Sequence, residues 1–161
     1  MLQRTISVFI SHSWAHEEHY NTLQSWLFDG PREVQSQWPM MGSTLLHFRD
    51  NSVPKDDPIH TNGSDYLLES AILTKILYSD VIVIPTGMYA EYSKWIKKEI
   101  NLAIRCQKPK LAVDPWGQKR SASVVRNNAD EEAGWNRKSV IDKIWQLCNL
   151  PAWQLKNSPL S

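Results

Sequence analysis

Val81-Ile82-Val83-Ile84, closed by Pro85-Thr86-Gly87, leads into Tyr89-Ala90-Glu91-Tyr92-Ser93-Lys94-Trp95-Ile96-Lys97-Lys98-Glu99-Ile100-Asn101-Leu102-Ala103-Ile104-Arg105. Four successive β-branched residues before a proline and a glycine read as a strand covered on both faces. The second stretch has the period of a helix, expected from about Ser93 to Arg105 and ended by Gln107-Lys108-Pro109. Lys94, Lys97, Lys98, Asn101 and Arg105 gather on its solvated face, and Ile96, Ile100, Ala103 and Ile104 on its buried one. Glu99 belongs to neither set. It flanks the aliphatic stripe, one turn from Trp95 and beside Leu102, where a carboxylate costs free energy unless something binds it. That something is either structural, a buried Arg or a backbone group, or a ligand.

Working outward, Ile6-Ser7-Val8-Phe9-Ile10 is a short strand with apolar residues on both faces, ending at Ser11-His12-Ser13-Trp14. A helix with Tyr20, Leu23, Trp26 and Leu27 follows and stops at Asp29-Gly30-Pro31. Residues 32–44 show no steady period and read as a loop. Leu45-Leu46-His47-Phe48 is a second strand running into Arg49-Asp50-Asn51-Ser52-Val53-Pro54, and the loop continues to Gly63. A helix from Ser64 or Asp65 carries Leu68, Ala71, Ile72 and Ile76. Beyond the opening stretch, Leu111-Ala112-Val113 is a fourth strand, and Val124-Val125 is the only pattern for a fifth between residues 118 and 135. Lys138 to Cys148 is a last helix, with Val140, Ile141, Ile144 and Trp145 on one side; the chain after Pro151 reads as irregular.

A chain of 161 residues, 42% hydrophobic and 22% charged, is expected to form one domain over 1–150 with a tail over 151–161. The formal charge of +1 gives no general electrostatic drive toward nucleic acid or anionic membrane, so neither is expected as a partner. Cys106 and Cys148 have no metal-type spacing and fit reduced thiols. No apolar run approaches membrane-spanning length or a signal-peptide core, so a cytoplasmic protein is expected.

Strands alternating with helices predict an α/β fold: a parallel sheet of four to five strands with helices on both faces. Ligands of such sheets bind beyond the carboxyl ends of the strands. Those ends carry Ser11-His12-Ser13-Trp14, Arg49-Asp50-Asn51, Thr86-Gly87-Met88-Tyr89 and Asp114-Pro115-Trp116. Loops at any sheet edge are polar, so this alone decides nothing.

Ser93-x-Trp95-x-x-x-Glu99 after the apolar strand resembles the catalytic helix of Toll/interleukin-1 receptor (TIR) domains, which have a flavodoxin-like architecture. Val8 to Ser13 resembles the first box of that family, and Phe48-Arg49-Asp50 with Pro54 the second, although Lys55 stands where the family usually has a glycine. Within the superfamily, Val8 to Trp14 and Ala112-Val113-Asp114-Pro115-Trp116-Gly117 are most similar to the TIR-like ThsB subunits of bacterial Thoeris anti-phage systems. The resemblance implies an enzyme that converts NAD, as substrate and with no cofactor, into an ADP-ribose-derived and cyclic signal. That diffusible nucleotide would activate a separate ThsA-like effector, and self-assembly into an oligomer or filament would accompany activation.

The same resemblance makes Glu99 the catalytic carboxylate. It implies substrate contacts from Ser11, His12, Ser13, Arg49, Asp50, Tyr89, Ser93 and Trp95. One carboxylate suffices for NAD: the nicotinamide is already cationic and leaves neutral, whereas ordinary glycosides need a carboxyl pair. Glu99 would stabilise the positive charge developing on the ribose or hold its hydroxyls. Trp95 either stacks on nicotinamide or is a core aromatic. Arg49 has the planar fork of donors that suits a diphosphate.

His12, His16 and His19 lack the cysteines or further histidines a metal site needs, so no metal is expected. A phospho-acceptor receiver domain is excluded by Ser11-His12-Ser13 where acidic residues would be required. A nucleoside deoxyribosyltransferase-like enzyme and a non-catalytic TIR adaptor remain open; Glu99 would be dispensable in the adaptor.

Overall fold

A computed structural model of the chain describes residues 1–11, 17–36, 40, 42–53, 65–115 and 123–156, and of residues 17, 65 and 88–93 the backbone alone. Among these residues one six-stranded sheet forms: β1 (Leu2–Ile10), β2 (Arg32–Gln35), β3 (Ser43–Asp50), β4 (Val81–Pro85), β5 (Lys110–Asp114) and β6 (Glu131–Gly134), in the order β2-β3-β1-β4-β5-β6. The helices are α1 (Glu17–Phe28), α2 (Asp65–Leu77), α3 (Tyr89–Arg105), α4 (Ser123–Asn128) and α5 (Arg137–Cys148).

Side-chain alternation along each strand decides which helices lie on which face. Ile6, Val8 and Ile10 of β1, with Val81, Val83, Leu111 and Val113, pack against Leu23 and Leu27 of α1 and Val140, Ile144 and Leu147 of α5. Phe9, Ile82, Ile84 and Ala112 face the other way, onto Ile72 and Ile76 of α2, Ile96, Ile100 and Ala103 of α3, and Val125 of α4. The uniform β-branched run of β4 thus supplies both cores at once.

β1, β3, β4, β5 and β6 are mutually parallel, in the flavodoxin-like order once β2 is set aside. The expected parallel sheet of four to five strands is present in these five, and two local readings are corrected. Residues 32–35, read as loop, form the edge strand β2, antiparallel to β3 with Arg32 opposite Leu46 and Gln35 opposite Ser43. Val124-Val125, read as a strand, lies in α4, and the strand at that edge is Glu131–Gly134, with only Ala133 buried. The tail also has more order than expected: Ala152–Gln154 form a single 3-10 turn.

α3 begins at Tyr89, a turn earlier than the pattern indicated, directly after a 3-10 turn over Thr86–Met88. Its other end closes as the sequence suggests. Gln107 takes a left-handed φ of 54°, its N–H donates to the Ile104 carbonyl at 3.0 Å, and that of Lys108 to the Ala103 carbonyl at 2.8 Å. This double bond-back satisfies the last carbonyls of the helix. At the sheet's amino end, the Lys110 ammonium and the Asp130 carboxylate are 1% and 2% exposed and 3.0 Å apart. Asp130 also accepts from the backbone N–H of Lys110 and of Lys156, at 2.8 and 2.6 Å, which fastens the C-terminal segment to the sheet. No helix among the described residues is long and apolar enough to cross a membrane.

Candidate active site

After β1 the chain goes to β3 on one side, and it then returns through α2 to β4 on the other. The strand order therefore reverses between β1 and β4, the place where open α/β sheets bind ligands. Ser11 stands there. Its N–H donates to the Val83 carbonyl at 2.8 Å, which locks the end of β1 to β4, and its side chain projects onto the α3 face.

Glu99, in the third turn of α3, meets it. The Ser11 hydroxyl donates to Glu99 Oε2; the two residues are 2% and 8% exposed, and 88 positions separate them in sequence. The neighbours of Glu99 on its helix are the buried Ile96, Ile100, Leu102 and Ala103. Among the described residues neither a Lys nor an Arg pairs with this carboxylate. Burial in these apolar surroundings pushes its carboxyl from 4.5 up to about 7, against the opposing pull of the Ser11 hydrogen bond.

Trp95, one turn earlier on the same side of α3, is half-buried against the α2–α4 core. The Lys94 and Lys98 ammonium groups lie over its ring, 5.6 and 5.1 Å from the centroid, and Lys98 also bonds Glu69 of α2 at 3.1 Å. Trp95 is thus neither a full core residue nor a free one.

Arg49 and Asp50 go elsewhere. Arg49 pairs with Ser7 in the sheet, and its Nε and Nη2 donate to the Ser7 hydroxyl at 3.1 and 2.8 Å. Ser7 shares the Ser11 face but sits four residues down β1, about 13 Å away at the rise of a strand. Asp50 is on the opposite face, accepting from the Tyr20 hydroxyl at 2.6 Å and from the Ser52 N–H at 2.9 Å. Tyr20 is held firmly protonated by its burial and by this carboxylate. The polar segment after β3 is fastened as far as it is described: Asn51 N–H donates to the Val8 carbonyl at 2.8 Å, and the Asn51 amide to the Lys75 carbonyl at 2.7 Å.

His12, Ser13, His16 and Pro54 to Ser64 lie outside the described residues, as do the side chains of Tyr89 and Ser93. His19 stands edge-on to Trp135 at 5.5 Å.

At three strand-end residues, Ser52, Thr86 and Asp114, the sequence reading assigned no role. Ser52 is buried and its hydroxyl accepts the Ile10 N–H at 2.8 Å, next to Ser11. The buried Thr86 donates its hydroxyl to Asp114 at the end of β5, 2.8 Å away, and Arg126 reaches the other Asp114 oxygen at 3.4 Å. A small hydroxyl residue in a polar segment carries no signal that separates it from an ordinary turn residue.

A parallel core in flavodoxin-like order, with a buried acid on the helix after its third strand bonded to Ser11 at the point where the strand order reverses, has the layout of a TIR-like domain. The family described as Thoeris protein ThsB, TIR-like domain, matches residues 9–120, more than half of the chain. The chain belongs to that family and is a TIR-family protein of Thoeris defence. The match spans Ser11, Trp95 and Glu99 and ends before β6 and α5. No curated protein matches the chain.

Proposed function

We propose that this protein cleaves the nicotinamide–ribose bond of NAD and releases an ADP-ribose-derived nucleotide as a diffusible defence signal, with Glu99 as the catalytic carboxylate. The observation that carries the reading is a carboxylate buried among aliphatic side chains where the strand order reverses between β1 and β4, with a serine hydroxyl as its partner. A buried acid whose ionised form is held at a cost, beside the strand ends where such sheets bind ligands, is a functional-site candidate.

The carbon–nitrogen bond breaks with its electron pair going to the nicotinamide, which leaves neutral. The ribose carbon is left cationic, and the Glu99 anion stabilises it more strongly in a site poor in water than in solvent. The incoming nucleophile then adds and loses its proton. Water gives free ADP-ribose, a group within the same molecule gives a cyclic isomer, and an amino acid gives a conjugate. The nucleotide acts on a separate effector in the cytoplasm, and a signalling role of this kind needs a resting state of low turnover, relieved by assembly or infection.

Mass spectrometry of nucleotides after incubation with NAD tests this, across a range of protein concentration and in extracts of infected and uninfected cells. Glu99→Gln should lower cleavage on the order of a hundredfold to a thousandfold, the scale for one preorganised transition-state group. Near-normal turnover by folded Glu99→Gln would remove the assignment. Defence retained by that variant would mark the chain as an adaptor.

A further inference from the structure

The hydroxyl of Ser11 is already committed. Its one proton goes to Glu99 Oε2, and its backbone is held to Val83, so the side chain offers no donor to a ribose or a phosphate. We propose that Ser11 is a positioning residue for Glu99: it fixes Oε2, leaves Oε1 to face the substrate, and favours the ionised carboxylate that a cationic transition state requires. This rests on the reading of Glu99 as the catalytic group, and it removes Ser11 from the residues that touch substrate.

No other group described around Glu99 does this work. On α3 itself, Lys98 bonds Glu69 of α2 and lies over Trp95, as does Lys94, while Lys97 and Arg105 belong to the basic outer face. On α2, Lys75 lies in the last turn. On β5, Lys110 is held by Asp130 at the far end of the strand, and Asp114 is bonded by Thr86 and by Arg126 of α4. Among the described residues, it is the Ser11 hydrogen bond that opposes the effect of burial on the Glu99 carboxyl.

A hydrogen bond to a charged group changes a protonation equilibrium by about tenfold to a hundredfold, or about one to two pH units. Carbon-detected NMR of the glutamate carboxyls in the full chain reads this directly, with Glu99→Gln assigning the resonance. In Ser11→Ala the Glu99 midpoint should rise by about one pH unit or more. The acid limb of the NAD-cleavage profile should move up with it, and Ser11→Thr, which keeps the hydroxyl, should restore both. An unmoved midpoint in folded Ser11→Ala overturns the proposal, as does activity lost equally at every pH, which would return Ser11 to direct substrate contact. A shifted midpoint in Ser11→Ala, with no NAD cleaved by the wild type at high concentration or in extracts of infected cells, supports the hold of Ser11 on the carboxylate and refutes the substrate reading alone.

Discussion

Replacing Glu99 by Gln should make the protein more stable, and only on the alkaline side. The Glu99 carboxyl is raised from 4.5 to about 7 by burial, a difference of ~3 kcal/mol between its protonated and ionised forms. In the unfolded chain the group loses its proton near 4.5; in the folded chain it keeps it to about 7. Between those values the folded state binds more protons, so stability is full below 4.5, falls as pH rises, and levels off above about 7. Gln has nearly the same shape, cannot ionise, and can still accept from the Ser11 hydroxyl. Between pH 5 and pH 8 the wild type should therefore lose roughly 2–3 kcal/mol relative to Glu99→Gln. For a chain of this length that is roughly 5–10 °C in melting temperature. Thermal melts of both proteins across the range measure it. Parallel pH curves for the two would refute the argument, because they would mean that the carboxylate is ionised in the folded state at no cost.

Asp130→Ala strands the buried Lys110 ammonium and frees the Lys156 N–H, so a loss of about 3–5 kcal/mol is expected in denaturant unfolding. Lys138→Ala, which removes the solvent-exposed pair with Asp142, should leave the midpoint unchanged; equal effects of the two would contradict the burial argument. Trp95→Ala should cost less than the about 3–5 kcal/mol typical of a fully buried aromatic and should raise KM for NAD. A large drop in melting temperature with unchanged kinetics per folded molecule would instead make Trp95 a core residue.

The elements that sequence reasoning found are those whose own side chains fill a core. β1, β4 and β5 carry apolar residues facing both helical layers, and α3 separates its lysines from its isoleucines cleanly, so period and composition agree. The two edge strands fail that test. In Arg32–Gln35 only Val34 is buried, and in Glu131–Gly134 only Ala133; each is held by backbone pairing to a neighbour, which leaves almost no trace in side-chain pattern. The reverse error arose at Val124-Val125, where Val125 is drawn into the α4 core contact although β-branched pairs favour strands. In the site, Glu99 was legible because a carboxylate beside an aliphatic stripe breaks the amphipathic pattern. Arg49 and Asp50 were not legible in detail, because what binds them, Ser7 and Tyr20, depends on pairing between distant segments.

The contact between Ser11 and Glu99 also ties the candidate site to the later part of the chain's synthesis. Glu99 follows Ser11 by 88 residues, on a helix packed against side chains of β1, β4 and β5. A nascent or truncated chain ending before α3 holds one half of the pair and none of the carboxylate. Assembly of the site therefore coincides with the long-range step of folding, the slowest kind to complete.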